Sequence, residues 1–108
     1  MTAAAQIVSG DVLDDTYELD FRNVRLLARR SNQRAEFRVE NDPERIGVIR
    51  FGGPESGALW IRDECIAEYE RHEKEFIVTP ISNGRKQLDA VVKAHPVEFL
   101  LTRLTQRE

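Results

Sequence analysis

The chain has 108 residues and a net charge of -3, with 41% apolar residues, 32% charged residues and one cysteine. It has no run of eighteen apolar residues, which excludes a transmembrane helix, and the lone Cys65 excludes a disulfide scaffold. The length predicts a single domain over residues 1–108. Residues 1–6 lack the features of a secretory signal, and a lone thiol suits a reducing compartment, so we expect a cytoplasmic protein.

Charge is distributed in four alternating blocks. Residues 1–21 carry five acidic side chains and no basic one, whereas residues 22–50 carry eight arginines against four acids. Residues 51–84 are again acidic, with net charge -4, and residues 85–108 have net charge +2. Blocks of opposite sign in one domain most simply neutralise each other across neighbouring elements. The 13 Arg against 3 Lys indicate either a binding face or a codon preference.

The first half of the chain has the two-residue alternation of β-strands. Residues 17–22 alternate, the phase flips at Asn23, and residues 24–28 alternate again, so a bulge, bend or tight turn is expected there. Residues 35–40, 46–51 and 58–61 read as further strands, separated by polar, Gly- or Pro-containing turns. This predicts an antiparallel meander with one face in solvent.

The second half has spacings typical of helices. Cys65, Ile66, Tyr69 and Phe76 fall close to a 3.6-residue repeat, which predicts a helix over about 63–75. Residues 76–79 read as a strand that Pro80 confines to a sheet edge. A second helical face follows the turn at 82–84, formed by the residues at 88, 91, 92 and 95.

The last segment has two interpretations. With Pro96 at the first helical position and Glu98 at the third, residues 97, 100, 101 and 104 form an apolar stripe, which favours a helix over 97–106. Alternation of Val97, Phe99 and Leu101 leaves a terminal strand as the alternative. The resulting prediction is an α+β fold in which an antiparallel meander of about 4–5 strands from the N-terminal half is packed by 2–3 helices, mainly from the C-terminal half.

Motifs for metal binding and catalysis are weak. Asp11, Asp14 and Asp15 lack the glycine and the distal acid of a calcium loop, so a solvated loop is expected. Cys65, His72 and His95 lack the close spacings of a zinc site. There is no nucleophile elbow and no phosphate-binding glycine loop. We therefore predict no metal, no cofactor and no enzymatic activity, with a metal-independent nuclease as the most remote alternative.

Two binding functions remain. A basic sheet face near aromatic rings is typical of modules that bind single-stranded nucleic acid. The same alternation, however, places Phe21, Phe37 and Phe51 in the core when the neighbouring arginines face water, and the pI near 5.5 is far from basic. Nucleic acid is therefore the second choice. The favoured prediction is a small non-catalytic accessory, inhibitor or assembly protein that binds a protein partner stoichiometrically, with a homodimer as one form of this.

The predicted binding residues fall into three groups: an arginine face, an acidic patch and one apolar side chain. They are Arg25, Arg29, Arg38 and Arg50, then Glu64, Glu68 and Glu70, and finally Phe99. Phe99 is included because it lies off the apolar stripe if its segment is helical, and such a ring suits a contact with a partner. The acidic and basic groups together would steer a charged partner.

Overall fold

The computed structural model describes residues 15–106, with side chains from Thr16 onward, as one antiparallel sheet followed by a helix. The strands are β1 Asp15–Phe21, β2 Val24–Arg30, β3 Arg34–Val39, β4 Asp42–Gly53, β5 Ser56–Ile61, β6 Glu64–His72, β7 Glu75–Ser82, β8 Arg85–Lys86 and β9 Val92–Lys93. A single 3₁₀ turn covers Leu88–Ala90, and the helix α1 spans Pro96–Thr105. Strands β1 to β8 are neighbours in chain order, and β9 also pairs with β7.

Tight turns set the register of this meander. The Arg22–Asn23 turn has φ values of 52° and 68°, and the Asn83–Gly84 turn has 56° and 76°. Two successive left-handed residues match the twist of the flanking strands, as in type I′ hairpins. The phase flip expected at Asn23 is therefore a tight turn, in which Phe21 pairs with Val24.

One face of the sheet, here called the inner face, packs against α1. Its strand residues form one core with Leu100, Leu101 and Leu104 of the helix. Gly47 allows the helix to approach, because a Cβ there would lie 3.2 Å from the side chains of Leu100 and Leu104. The buried strand members of this core are Leu26, Ala28, Ala35, Phe37, Val39, Ile49, Leu59, Ala67, Tyr69 and Val78.

The predicted α+β fold class is wrong. The described chain is mostly sheet, with nine antiparallel strands and a single helix, instead of 4–5 strands packed by 2–3 helices. Within residues 15–106, no helix is long and apolar enough to cross a membrane.

The predicted helix over 63–75 is strand β6 and the turn into β7. Its register shifts opposite Leu59 and Trp60, where an irregularity places Cys65 and Ile66 next to each other as half-buried residues. That shift breaks the alternation and imitates helical spacing. The following turn uses Glu73, with φ 60°, where a glycine or asparagine would have marked a hairpin.

The predicted helix before Pro96 is also wrong. Its apolar residues Leu88, Val91 and Val92 are exposed, Leu88 by 73%. Leu88 lies in the 3₁₀ turn, Val91 is the extended residue directly after it, and Val92 lies in short β9, which pairs with β7. Because a residue before proline is pushed to extended backbone, His95 has φ -70° and ψ 134°, and a helix ending in His95-Pro96 is disfavoured.

The helix predicted at the C-terminal end is confirmed as α1, and the strand alternative is wrong. Pro96 occupies its first turn and Glu98 the acidic position. The His95 side chain caps the helix, since its Nδ1 accepts a hydrogen bond of 3.1 Å from the Val97 N–H. Leu100, Leu101 and Leu104 are buried, as the stripe predicts.

Candidate functional site

Six of the eight predicted binding residues lie on the sheet face turned away from α1, here called the outer face. The registers place them there, since Arg29 is opposite Glu36, Glu36 opposite Val48, and Val48 opposite Trp60. Another row joins Arg50, Ala58 and Glu68. The six residues are Arg25, Arg29, Arg38, Arg50, Glu68 and Glu70. In the part of the chain that the structure describes, no helix or strand covers this face.

Three of the four arginines form no ion pair within the described part of the chain. Arg25 is the exception: its guanidinium donates to Asp20 Oδ1 at 2.7 Å and to Glu18 Oε1 at 3.0 Å. The hydrogen bond with Asp20, and then the charges of Asp20 and Glu18, raise the pKa of Arg25 above its usual value. Glu18 and Asp20 of the first charge block thus pair with Arg25 of the second. Arg29, Arg38 and Arg50 form no ion pair with any residue between 15 and 106.

An apolar strip runs through the outer face beside these arginines. Leu27, Val48 and Trp60 are half-buried on it, although no element packs above them among the described residues. The Arg50 guanidinium lies 5.6 Å from the Trp60 ring centroid, within the range of a cation–π contact. Long arginine stems can shield apolar surface while their heads stay in water. The Trp60 ring is therefore half-buried on this face, with its indole Nε1 beneath the surface and the Arg50 side chain beside the ring.

Glu68 and Glu70 form the opposite side of this surface and are partly paired. Glu68 Oε1 lies 3.1 Å from Lys86 Nζ, and Glu70 Oε1 lies 3.0 Å from His72 Nε2. Together with Arg50 and Lys86 they line a shallow groove of about 500 Å³. The groove thus mixes both signs of charge, whereas the arginines on β2 to β4 form the basic part of the outer face.

Glu64 and Phe99 lie apart from the other six residues. Glu64 pairs with Ile61 at the start of β6, and it lines a recess of about 460 Å³ that also contains Phe99. The Phe99 ring packs against the core and lies 4.8 Å from the Arg103 guanidinium. Phe99 is therefore half-buried within the molecule.

Among the residues described, no group of three or more His, Cys, Asp or Glu side chains could hold a metal ion. Asp11 and Asp14, discussed above as an acidic loop, lie outside the described residues. Cys65 and His72 sit near opposite ends of β6, about 23 Å apart along an extended strand. Burial raises the pKa of the Cys65 thiol, whose Sγ lies 3.6 Å from the Ala67 carbonyl oxygen.

Sequence reasoning missed a third concave surface, here called the aromatic cleft, at one end of the inner face. It has a volume of about 550 Å³ and is lined by Tyr17, Arg30, Phe51, Tyr69, Phe76 and His95, among others. They come from β1, β2, β4, β6, β7 and the residue before α1. Their spacing along the sequence therefore could not predict that they lie together. Alternation correctly predicted that Phe51 points to the inner face. It could not predict that a solvent-accessible cleft remains at this end of the inner face.

Comparison with known proteins gives no relative from which a function could be carried over. No protein-family model matches the chain, and neither a curated protein nor a solved structure matches it. Function is therefore argued from the geometry of the outer face and the aromatic cleft.

Proposed function

We propose that this is a non-catalytic protein that binds one protein partner stoichiometrically through its outer face. The observation that carries the proposal is a set of three arginines, Arg29, Arg38 and Arg50, that form no ion pair with any described residue and lie on the same sheet face as half-buried Trp60, a face that no described helix covers. Interfaces are enriched in tryptophan and arginine, and these residues dominate binding energy at their centres. The partner surface that fits is an acidic patch surrounding an apolar recess for Trp60.

Charge supports this choice of partner. Because Arg25 is already paired with Asp20 and Glu18, the free positive charge on the face belongs to the three arginines nearer its centre. Complementary charge accelerates association and fixes the orientation of the partner. The acidic side, Glu68 and Glu70, then repels a uniformly acidic surface and limits which partners can dock.

Nucleic acid remains the second candidate because the same arginines could neutralise phosphates. Against it, Phe37 is only 3% exposed, and Phe21 and Phe51 pack against the core from the inner face. Trp60 is then the one aromatic ring on the outer face among the described strands. Single-strand binders usually stack successive bases on several rings. The outer face thus has arginines that could pair with phosphates, but its described strands lack the several aromatic rings on which successive bases would stack.

The test is affinity capture from the native host with three baits: the wild type, R38E/R50E and K74E/R85E. The second double variant changes charge equally, but Lys74 lies in the β6–β7 turn and Arg85 on β8 next to Ser82, both exposed. We expect one protein to be retained by the wild type and by K74E/R85E and lost with R38E/R50E. Circular dichroism of each bait controls for folding.

The retained protein is then purified and titrated while the emission of Trp60, the single tryptophan, is followed. We expect one-to-one binding, a change in Trp60 emission, and an affinity at least about tenfold weaker for R38E/R50E. A capture profile that is identical for the three baits would contradict the proposal. Binding of labelled single-stranded DNA or RNA that weakens steeply with salt would replace it by the second candidate.

A further inference from the structure

The aromatic cleft lies where the curved sheet meets the start of α1, and it opens to solvent at the end of the inner face. Its volume of about 550 Å³ falls within the range of small-molecule pockets, roughly 300–1,000 Å³. Lining residues such as Phe37 and Ile49 place it on the inner face, and Phe51 and Tyr69 line both the cleft and the groove that contains Glu68 and Glu70. The proposed protein partner binds the outer face and therefore does not account for the cleft.

Rings dominate the walls of the cleft and are held in place by one another. The Phe76 ring makes edge contacts with Tyr69, at 5.9 Å between centroids, and with His95, at 5.0 Å. His95 is further fixed because its Nδ1 caps α1 through the Val97 N–H. Ordered rings of this kind provide preformed surfaces against which a flat ligand can pack with little loss of side-chain entropy.

The described lining of the cleft carries positive charge. None of the described residues that line it is acidic, and Arg30 is its permanently charged side chain. The Arg30 guanidinium lies 5.6 Å from the Phe51 ring centroid, and it forms no ion pair with any residue whose side chain is described. A guanidinium stacked on a ring keeps N–H donors in a plane suited to an anionic oxygen pair.

Polar groups near Arg30 can complete the recognition of an anion. Asn32, two residues after the end of β2, lines the cleft. In neutral His95, Nδ1 accepts the capping hydrogen bond, so Nε2 carries the proton and is a donor. The cleft thus combines apolar rings, one permanent cation and neutral donors.

We propose that the aromatic cleft binds a small organic anion, namely a planar aromatic ring that carries one carboxylate, phosphate or sulfonate group. The ring packs between Phe51 and the Tyr69–Phe76–His95 wall, and the anionic group pairs with Arg30. A neutral ligand of the same shape lacks the ion pair, and a cation is repelled by Arg30. Binding of this anion does not require a partner on the outer face.

The test compares two probes that share their rings and differ in charge: anilinonaphthalene sulfonate and neutral N-phenylnaphthylamine. Each is titrated against the full chain by fluorescence. We expect saturable one-to-one binding of the sulfonate, and a weaker response to the neutral probe. R30Q should weaken sulfonate binding about tenfold, the effect of one charge-assisted hydrogen bond, and leave the neutral probe unchanged.

R22Q is the matched control, because Arg22 also lies over a phenylalanine, 5.1 Å from the Phe21 centroid, but does not line the cleft. It should bind both probes as the wild type does. Equal loss in R30Q and R22Q, or equal affinity of the wild type for both probes, would overturn the proposal. Amide shifts in NMR spectra should map to Phe51, Phe76 and His95 and spare the Trp60 indole; shifts centred on Trp60 would also overturn it.

Discussion

The two faces of the sheet are made by the same strands, yet they differ in what they contribute. Every strand side chain among the buried hydrophobic residues lies on the inner face, and no charged or polar side chain in the described chain is buried. The outer face instead holds half-buried Leu27, Val48 and Trp60 among arginines. The ten residues of α1 account for this asymmetry, since they exclude water from one face only.

This difference separates stability from recognition. Hydrophobic burial is the dominant favourable contribution to folding, so the inner face and α1 should set the free energy of unfolding. Outer-face substitutions away from buried groups usually change that free energy by less than about 0.5 kcal/mol. The outer face can therefore vary in charge and shape without unfolding the protein, which is what a binding surface requires.

The largest expected effect comes from truncating the helix side of the core. Leu100 is fully buried against Gly47, so Leu100→Ala should lower the free energy of unfolding by about 3 kcal/mol. Leu27→Ala removes the same atoms from the outer face, where the side chain is only half-buried. It should lower the free energy of unfolding by less than about 1.5 kcal/mol. Urea denaturation followed by circular dichroism measures both. Equal losses would mean that the two faces are not distinguished by α1.

A second, smaller effect concerns a close approach within the inner face. Gly57 is directly opposite Tyr69, whose ring lies across it. A Cβ at Gly57 would be 2.5 Å from the Arg50 carbonyl oxygen and 2.6 Å from the Tyr69 ring. Gly57→Ala should therefore lower the free energy of unfolding by about 2 kcal/mol through forced displacement of backbone and ring.

Gly53→Ala provides the control within the same hairpin, because a Cβ at Gly53 would meet no atom within 4 Å beyond its chain neighbours. It should change stability by less than about 0.5 kcal/mol. Thermal unfolding of both variants distinguishes the crowding at Gly57 from the general effect of replacing a glycine in this hairpin. If Gly53→Ala were as destabilising as Gly57→Ala, contact with Tyr69 would not be the cause.

The sequence was informative where structure is set locally. Alternation predicted the inward direction of Phe37, and Pro96 at the first helical position together with the apolar stripe after it predicted α1. Both depend on neighbours within one element, so the pattern and the fold agree. The same reasoning placed Arg29 and Arg38 together on a solvent-facing surface.

The rest depended on contacts distant in sequence. Strand β6 was mistaken for a helix because its shift in register is visible only against β5, and because Glu73 takes a left-handed turn conformation that glycine or asparagine usually adopts. The aromatic cleft needs Arg30, Phe76 and His95 to meet, which only the curvature of the whole sheet achieves. The spacing of residues along the sequence predicts neither arrangement.

The smallest expected effect is an alkaline pH dependence to which Tyr69 on the inner face contributes. Burial raises the pKa of Tyr69 above its usual value of 10.0, because the folded protein disfavours the charged phenolate. The unfolded chain ionises near its usual value, so the stabilisation is complete below about pH 10 and is lost as pH rises toward the higher pKa of the folded protein. Stability should therefore decline above about pH 10.

Tyr69→Phe tests this pH dependence, since it keeps the ring on Gly57 and Phe76 but removes the ionisable group. Urea denaturation at a series of pH values between about 8 and 11 should give a flatter alkaline decline for the variant than for the wild type. Tyr17→Phe is the control, because it also removes a phenol hydroxyl but from a side chain that is 49% exposed. If the wild type and Tyr69→Phe declined in parallel, the buried phenol of the inner face would not be the group that titrates.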